Sequence, residues 1–233
     1  MTVKKTFWML FLIAVSGVLM LWAGDTATFV DLGFSRDGGT YAFAQYGVQS
    51  NTLKPWAELY IVDVSRNNFV DGGRLSFVSD NPVSAGQDGS GAFFSILTKN
   101  TALANRYNID FLRQGQPLFI SLEEPASPPS QSIEFRDFDA GTSYNAVLVP
   151  IVQGSGDNLT SSFYINLEQT GKDGAKKTFT VGSPSVKRPL IESYRIRKVI
   201  KVPGDGSVIF IIEMKKQNGP DYDIRFMVEA LHL

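Results

Sequence analysis

Along most of the chain, apolar positions fall in short runs with a period of two, separated by Gly, Pro, Asn and Asp. The stretch Thr28 to Phe34 is followed by Ser35-Arg36-Asp37-Gly38-Gly39, then by Tyr41, Phe43 and Gln45 alternating with small residues. An Asp-Gly pair between two such runs predicts a hairpin, because both residues tolerate the positive φ of a tight turn. The next run, Glu58 to Val64, is rich in β-branched and aromatic residues and ends at Arg66-Asn67-Asn68, which completes a three-stranded meander. The same order recurs at the other end of the chain: Tyr194 to Val202, the turn Pro203-Gly204-Asp205-Gly206, the run Val208 to Ile212, a polar loop at Gly219-Pro220, and Ile224 to Glu229. The two copies form a weak internal repeat.

Between the meanders the pattern changes. Phe93, Ile96, Leu97, Leu103, Ala104 and Tyr107 stand near helical spacing, which predicts one helix over Gly91 to Tyr107. Leu118 to Leu122 reads as a short strand, and Glu124-Pro125-Ala126-Ser127-Pro128-Pro129-Ser130 as a linker. Beyond it, Asn145 to Gln153, Ser162 to Glu168 and Lys177 to Val181 are further strands. The expected fold is mainly β: antiparallel meanders, propeller-blade-like or sandwich, with one inserted helix. The parts are 24–124, a linker at 125–130 and 131–233, or one domain over 24–233.

The first residues read differently from the rest. Lys4 and Lys5 precede an uncharged apolar run from Phe7 to Trp22, which ends at Ala23-Gly24-Asp25. A basic start, an apolar middle and a small residue at the break are the parts of a secretory signal peptide, here 1–23 with cleavage after Ala23. The run is short for a membrane span, which needs about 20 apolar residues. Leu21 is bulkier than the cleavage pattern prefers, so an uncleaved anchor is the alternative. Periplasmic or secreted placement follows.

Composition narrows the chemistry. The 233 residues are 43% hydrophobic and 19% charged, with no Cys and one His. That excludes disulfides, thiol chemistry, lipid attachment at a Cys and Cys-containing zinc sites. The formal charge of −1 offers no global field for nucleic acid or an anionic membrane, and loss of Lys4 and Lys5 leaves the body mildly acidic. The single His, His232, stands at the chain end and makes a poor base for a serine nucleophile. Ser95 and Lys99 miss the S-x-x-K spacing by one residue. No catalytic residue and no cofactor is therefore expected.

Weak binding candidates remain. In the run from Glu192 to Pro203, alternation places Tyr194, Ile196, Ile200 and Val202 on one face, and Arg195, Arg197 and Lys201 on the other. Such a cationic face suits an anionic glycan, a phosphate or an acidic protein, or is simply the solvated side of a strand. Asp137 and Asp139 would share one strand face near Glu134. With Gly141 they resemble the start of a calcium loop, but a third oxygen ligand and the closing Glu are missing, so no metal is expected. Trp56, in the loop before a strand, and Tyr46 and Tyr222, next to turns, are aromatics able to stack on a sugar or anchor a protein.

Two resemblances rest on these segments. Gly33-Phe34-Ser35-Arg36-Asp37-Gly38 with Leu59-Tyr60-Ile61-Val62-Asp63, and Pro203-Gly204-Asp205-Gly206 with Ile224-Arg225-Phe226, resemble blades of TolB-type β-propellers. They depart from that pattern at Arg36, where the blades usually carry Pro. The segments 27–49, 57–70, 103–109, 194–200 and 223–231 together resemble a bacterial family of predicted secreted proteins, catalogued as a domain of unknown function. That resemblance implies export and supplies no activity. The expected function is a non-catalytic binding or assembly module of the cell envelope, with an envelope protein or glycan as partner. The alternative is a carboxylate-dependent glycan hydrolase, which would need two acids such as Asp137 or Asp139 with Glu134, Asp37 or Asp63 in one cleft.

Overall fold

The computed structural model describes residues 24–84, 86–122 and 130–233. The expected signal peptide and all but Ser130 of the expected linker lie outside these residues. The first sheet contains β1 (Thr28–Ser35), β2 (Thr40–Val48), β3 (Pro55–Asp63), β4 (Asn68–Val78) and the short β5 (Ile109–Asp110), in the order β4-β3-β2-β1-β5. Between β4 and β5 lie α1 (Ser90–Lys99) and α2 (Thr101–Arg106). The second sheet is a meander of β7 (Gln131–Asp137), β8 (Thr142–Gln153), β9 (Thr160–Thr170) and β10 (Lys176–Pro189). The third has β11 (Ile191–Lys201), β12 (Val208–Asn218) and β13 (Asp221–Leu231), with β6 (Gln116–Ile120) on the outer side of β11. All pairings between named strands are antiparallel.

The third sheet is the middle layer. On β12, Val208, Phe210 and Ile212 pack with Phe135, Leu148, Phe163 and Ile165 of the second sheet. Ile209 and Ile211 point the other way, onto Phe34, Tyr41, Phe43 and Val62 of the first sheet. A strand buried on both faces needs an unbroken apolar run, and Val208 to Ile212 supplies it. The two meanders recognised as a repeat therefore stack face to face. The outer side of the first sheet carries the helical layer. There β2 and β3 present Ala42, Ala44 and Ala57, which let Ala92, Phe93 and Ile96 of α1 approach closely.

Two local features differ from the sequence reading. The helix expected over Gly91 to Tyr107 is divided at Asn100, whose φ is −116°. Asn100 Nδ2 donates to the Ile96 carbonyl and Thr101 Oγ1 to the Thr98 carbonyl, so short polar side chains take over backbone acceptors at the break. In β11, Ile196 pairs with Ile212 but Lys198 with Ile211, so Arg197 is an extra, bulged residue. The bulge inverts the alternation. Tyr194, Ile196 and Val199 face the second sheet, whereas Ile200 and Val202 face the first. The expectation of one shared apolar face on this strand is corrected accordingly.

Buried and half-buried amides stitch the layers. Gln45, 2% exposed, accepts from the Phe226 N–H of β13 and donates to Glu58. Asn67, in the turn just before β4, donates to Glu229 and accepts from the Ala230 N–H. Gln131 of β7 accepts from the Ile196 N–H at 2.7 Å and donates to the Ile196 carbonyl at 3.4 Å, standing in for a neighbouring strand where β6 ends. Gln131→Leu should lower stability by about 1–3 kcal/mol, because both Ile196 groups lose their partner. Urea denaturation measures this, and an unchanged midpoint would contradict the role given to the amide.

Candidate functional site

At one end of the first sheet, the β1–β2 turn, the end of β3 and the residues after α2 enclose an open polar cleft of about 640 Å3. Its walls include Arg36, Asp37, Asp63, Arg106, Tyr107 and Asn108. Turn chemistry builds each wall. Ser35 Oγ and the Gly39 N–H both donate to Asp37 Oδ1, at 2.6 and 3.0 Å, while Gly38 takes φ +77°. A Cβ on Gly38 would meet the Pro203 carbonyl at 2.6 Å, so the turns of the two repeats abut. Ser65 Oγ and the Arg66 N–H donate to Asp63 Oδ1 at 2.7 and 3.0 Å. Asn108 closes the helical side at φ +52°, and the Tyr107 hydroxyl donates to the Asp71 carbonyl.

Both cleft carboxylates are ionised at neutral pH. The Ser35 hydroxyl and the Gly39 N–H hold Asp37 below the usual carboxylate range. Burial opposes ionisation of Asp63, but the Ser65 hydroxyl, the Arg66 N–H and the Arg66 guanidinium outweigh it and also lower its pKa. A glycosidase needs one protonated acid beside an ionised partner, so this pair supplies charge and acceptors rather than a proton. The cleft offers two carboxylates and the guanidinium groups of Arg36 and Arg106, on an exposed rim.

The candidates drawn from the sequence are dispersed. The cationic face expected on β11 is divided by the Arg197 bulge. Arg195 is 7% exposed, donates to Ser121 Oγ at 2.7 Å and lies 3.9 Å from Glu213. Arg197 meets the same Glu213 at 3.3 Å. Lys201 turns instead toward the second sheet and pairs with Asp137. Asp137, 2% exposed, also accepts from the N–H groups of Asp139 and Ala140. Burial works to raise its pKa, but Lys201 and these amides prevail and hold it low. Asp139 lies beside Gln116 at 3.1 Å. Neither Asp137 nor Asp139 lines the cleft with Asp37 and Asp63.

Trp56 is not in a loop. It lies in β3 at 5% exposure, covered by Arg225 at 4.2 Å from its ring and hydrogen-bonded to Asp25. Burial keeps the Asp25 carboxyl above its ordinary value despite Arg225 and Trp56. Tyr46 stacks on Phe93, and Tyr222 lies under Lys215. His232 meets Ser207 Oγ at 3.0 Å and Asp205 at 3.3 Å, both at Nδ1. A catalytic triad needs its serine and carboxylate on opposite ring nitrogens, and Ser207 is 0% exposed, so the group is a tail contact.

Asp37 and Asp63 were within reach of the sequence as acids closing hairpin and strand. Arg106, Tyr107 and Asn108 were not, since only the packing of the helices on the first sheet brings them there. Their one local signal is an Asn just past a helix end, where a left-handed residue is common. No helix among the described residues is long and apolar enough to cross a membrane. No curated protein and no solved structure matches the chain. A family described as "Predicted secreted protein (DUF2259)" matches residues 42–232, from β2 through β13, and the chain belongs to that family.

Proposed function

We propose that this secreted protein is a non-catalytic binding or assembly module of the bacterial cell envelope, working in the periplasm or outside the cell. Its contact site is the cleft between Asp37, Asp63 and Arg106. One observation carries the reading: on β11 Arg195, Arg197, Lys198 and Lys201 each have a carboxylate partner within the protein, whereas Arg36 and Arg106 at the cleft have no ion-pair partner among the described residues. Guanidinium groups left unpaired beside fixed carboxylates suit a polar partner that presents both charges or many hydroxyls, such as an envelope protein or glycan. The absence of a net basic field argues against nucleic acid. Membrane contact is left to an uncleaved N-terminal segment.

A photo-cross-linking residue at Asn108 in intact cells should capture one specific envelope partner, and Arg36→Ala with Arg106→Ala should reduce the yield several-fold. The same probe at Thr178, on the outer side of the second sheet, should not capture it. Recovery of the monomer alone at Asn108 would count against the assignment. The alternative, a carboxylate-dependent glycan hydrolase, draws on Asp37 and Asp63 sharing the cleft. It requires release of reducing ends from envelope glycans that Asp37→Asn abolishes.

A further inference from the structure

The outer face of the second sheet carries polar side chains that the fold does not use. Register sets them in rows: Asn145, Glu168 and Thr178 stand side by side on β8, β9 and β10, and Val147, Asn166 and Thr180 form the next row. Together they line a shallow groove of about 440 Å3. Tyr164 follows Asn166 on the same face, opposite Gly182, which has no side chain to cover the ring. Asn145, Asn166, Thr178 and Thr180 are exposed, and neither their side chains nor that of Tyr164 makes a hydrogen bond among the described residues. Among the described residues that line the groove, Glu168 alone is charged, and Lys176 neutralises it at 2.8 Å.

Folding does not account for this set. Asn is disfavoured in strands, yet Asn145 and Asn166 occupy the interiors of β8 and β9, the two central strands of the sheet. Other amides are used by the fold, as Gln45, Asn67 and Gln131 each bond across layers. Uncommitted amides and hydroxyls on a concave, neutral surface instead supply donors and acceptors to a ligand.

We propose that this groove is a second binding site, and that its ligand is a neutral glycan carrying N-acetylated amino sugars. A sugar hydroxyl both donates and accepts, and so do the Asn amides and Thr hydroxyls. An acetamido group presents a C=O, an N–H and a methyl. The amides of Asn145 and Asn166 serve the first two, and Val147, which stands beside both, meets the methyl. Tyr164 offers a ring face to the sugar. The Glu168–Lys176 pair leaves no net charge to attract an acidic polymer. The third sheet separates the groove from the cleft at Asp37 and Asp63, so the two sites are filled independently.

Isothermal titration of the full-length protein with chitohexaose should show saturable binding, and backbone amide NMR shifts should map it to β8, β9 and β10. Cellohexaose, which has hydroxyls in place of the acetamido groups, should bind at least about tenfold more weakly, and a heparin hexasaccharide should not compete. Asn145→Ala with Asn166→Ala should lower chitohexaose affinity at least about tenfold and leave the urea midpoint unchanged, since neither side chain bonds within the protein. Thr178→Val, a milder change, should lower the affinity several-fold. Arg36→Ala with Arg106→Ala should leave it unchanged, which keeps this site apart from the cleft. Absence of chitohexaose binding, equal binding of cellohexaose, competition by heparin, full affinity in the Asn variant or dependence on Arg36 and Arg106 would each overturn the proposal.

Discussion

Phe210→Ala should destabilise the protein by about 3–5 kcal/mol, and Ile209→Ala by about 2–5 kcal/mol. The two residues are neighbours on β12, both 0% exposed, and their side chains enter different cores. Phe210 fills the space between the second and third sheets, edge-on to Phe135 with ring centres 6.4 Å apart. Ile209 fills the space between the first and third. Each truncation removes buried apolar surface and leaves a cavity that sheets packed on both sides cannot close. In a two-layer sandwich, one of two successive strand residues would face water and tolerate the change. Urea unfolding curves with matched slopes decide the matter. Wild-type stability at either position would rule out a third sheet buried on both faces.

The second large effect is electrostatic. Lys201→Met should cost about 2–3 kcal/mol at neutral pH, below the figure for fully buried pairs because Lys201 keeps part of its side chain in water. The variant leaves Asp137 charged, 2% exposed and held only by the Asp139 and Ala140 N–H groups. The sign of the pH dependence follows from the direction of the shift. In the wild type the folded-state pKa of Asp137 is depressed, so its contribution is present above the unfolded value of about 3.9 and is lost as pH falls through the folded value. Without Lys201 the burial that opposes ionisation is no longer outweighed by the cation, and protonation relieves the variant. The gap between wild type and variant should thus be widest near pH 7 and narrow toward pH 4. Asp137→Asn combined with Lys201→Met should recover part of the loss. A gap that is constant with pH would mean that Lys201 acts through packing alone.

Much of the fold was legible because it is written in near neighbours. The Asp37-Gly38 turn needs only a side-chain acceptor and a residue at positive φ, and both are local. The run Val208 to Ile212 announces a buried strand, and the repeated order of strand, turn and strand foretells two similar meanders. The break at Asn100 was less visible, since periodicity continues across it while the backbone does not. The Arg197 bulge was not visible at all. One extra residue inverts every face after it, and nothing in a period-two pattern marks where it is inserted.

The same division holds for the site. Asp37 and Asp63 close recognisable local motifs, but that they share a cleft with Arg106 depends on how the helices settle on the first sheet. Arg195 and Lys201 read as one solvated face. Their partners, Glu213 and Asp137, come from the neighbouring strand and from another sheet. Trp56 read as a loop aromatic, because the residues that cover it, Asp25 and Arg225, are 200 positions apart.

By itself the sequence determined the mainly β class, the places of the turns and the secreted character. These depend on residue periodicity, backbone preference and the apolar run from Phe7 to Trp22, which act within a few positions. Tertiary structure alone decided which sheet lies in the middle, which charges are neutralised and which are left at an open cleft. An ion pair or a buried amide contact forms between strands that meet across layers, and their meeting is set by the packing of whole sheets.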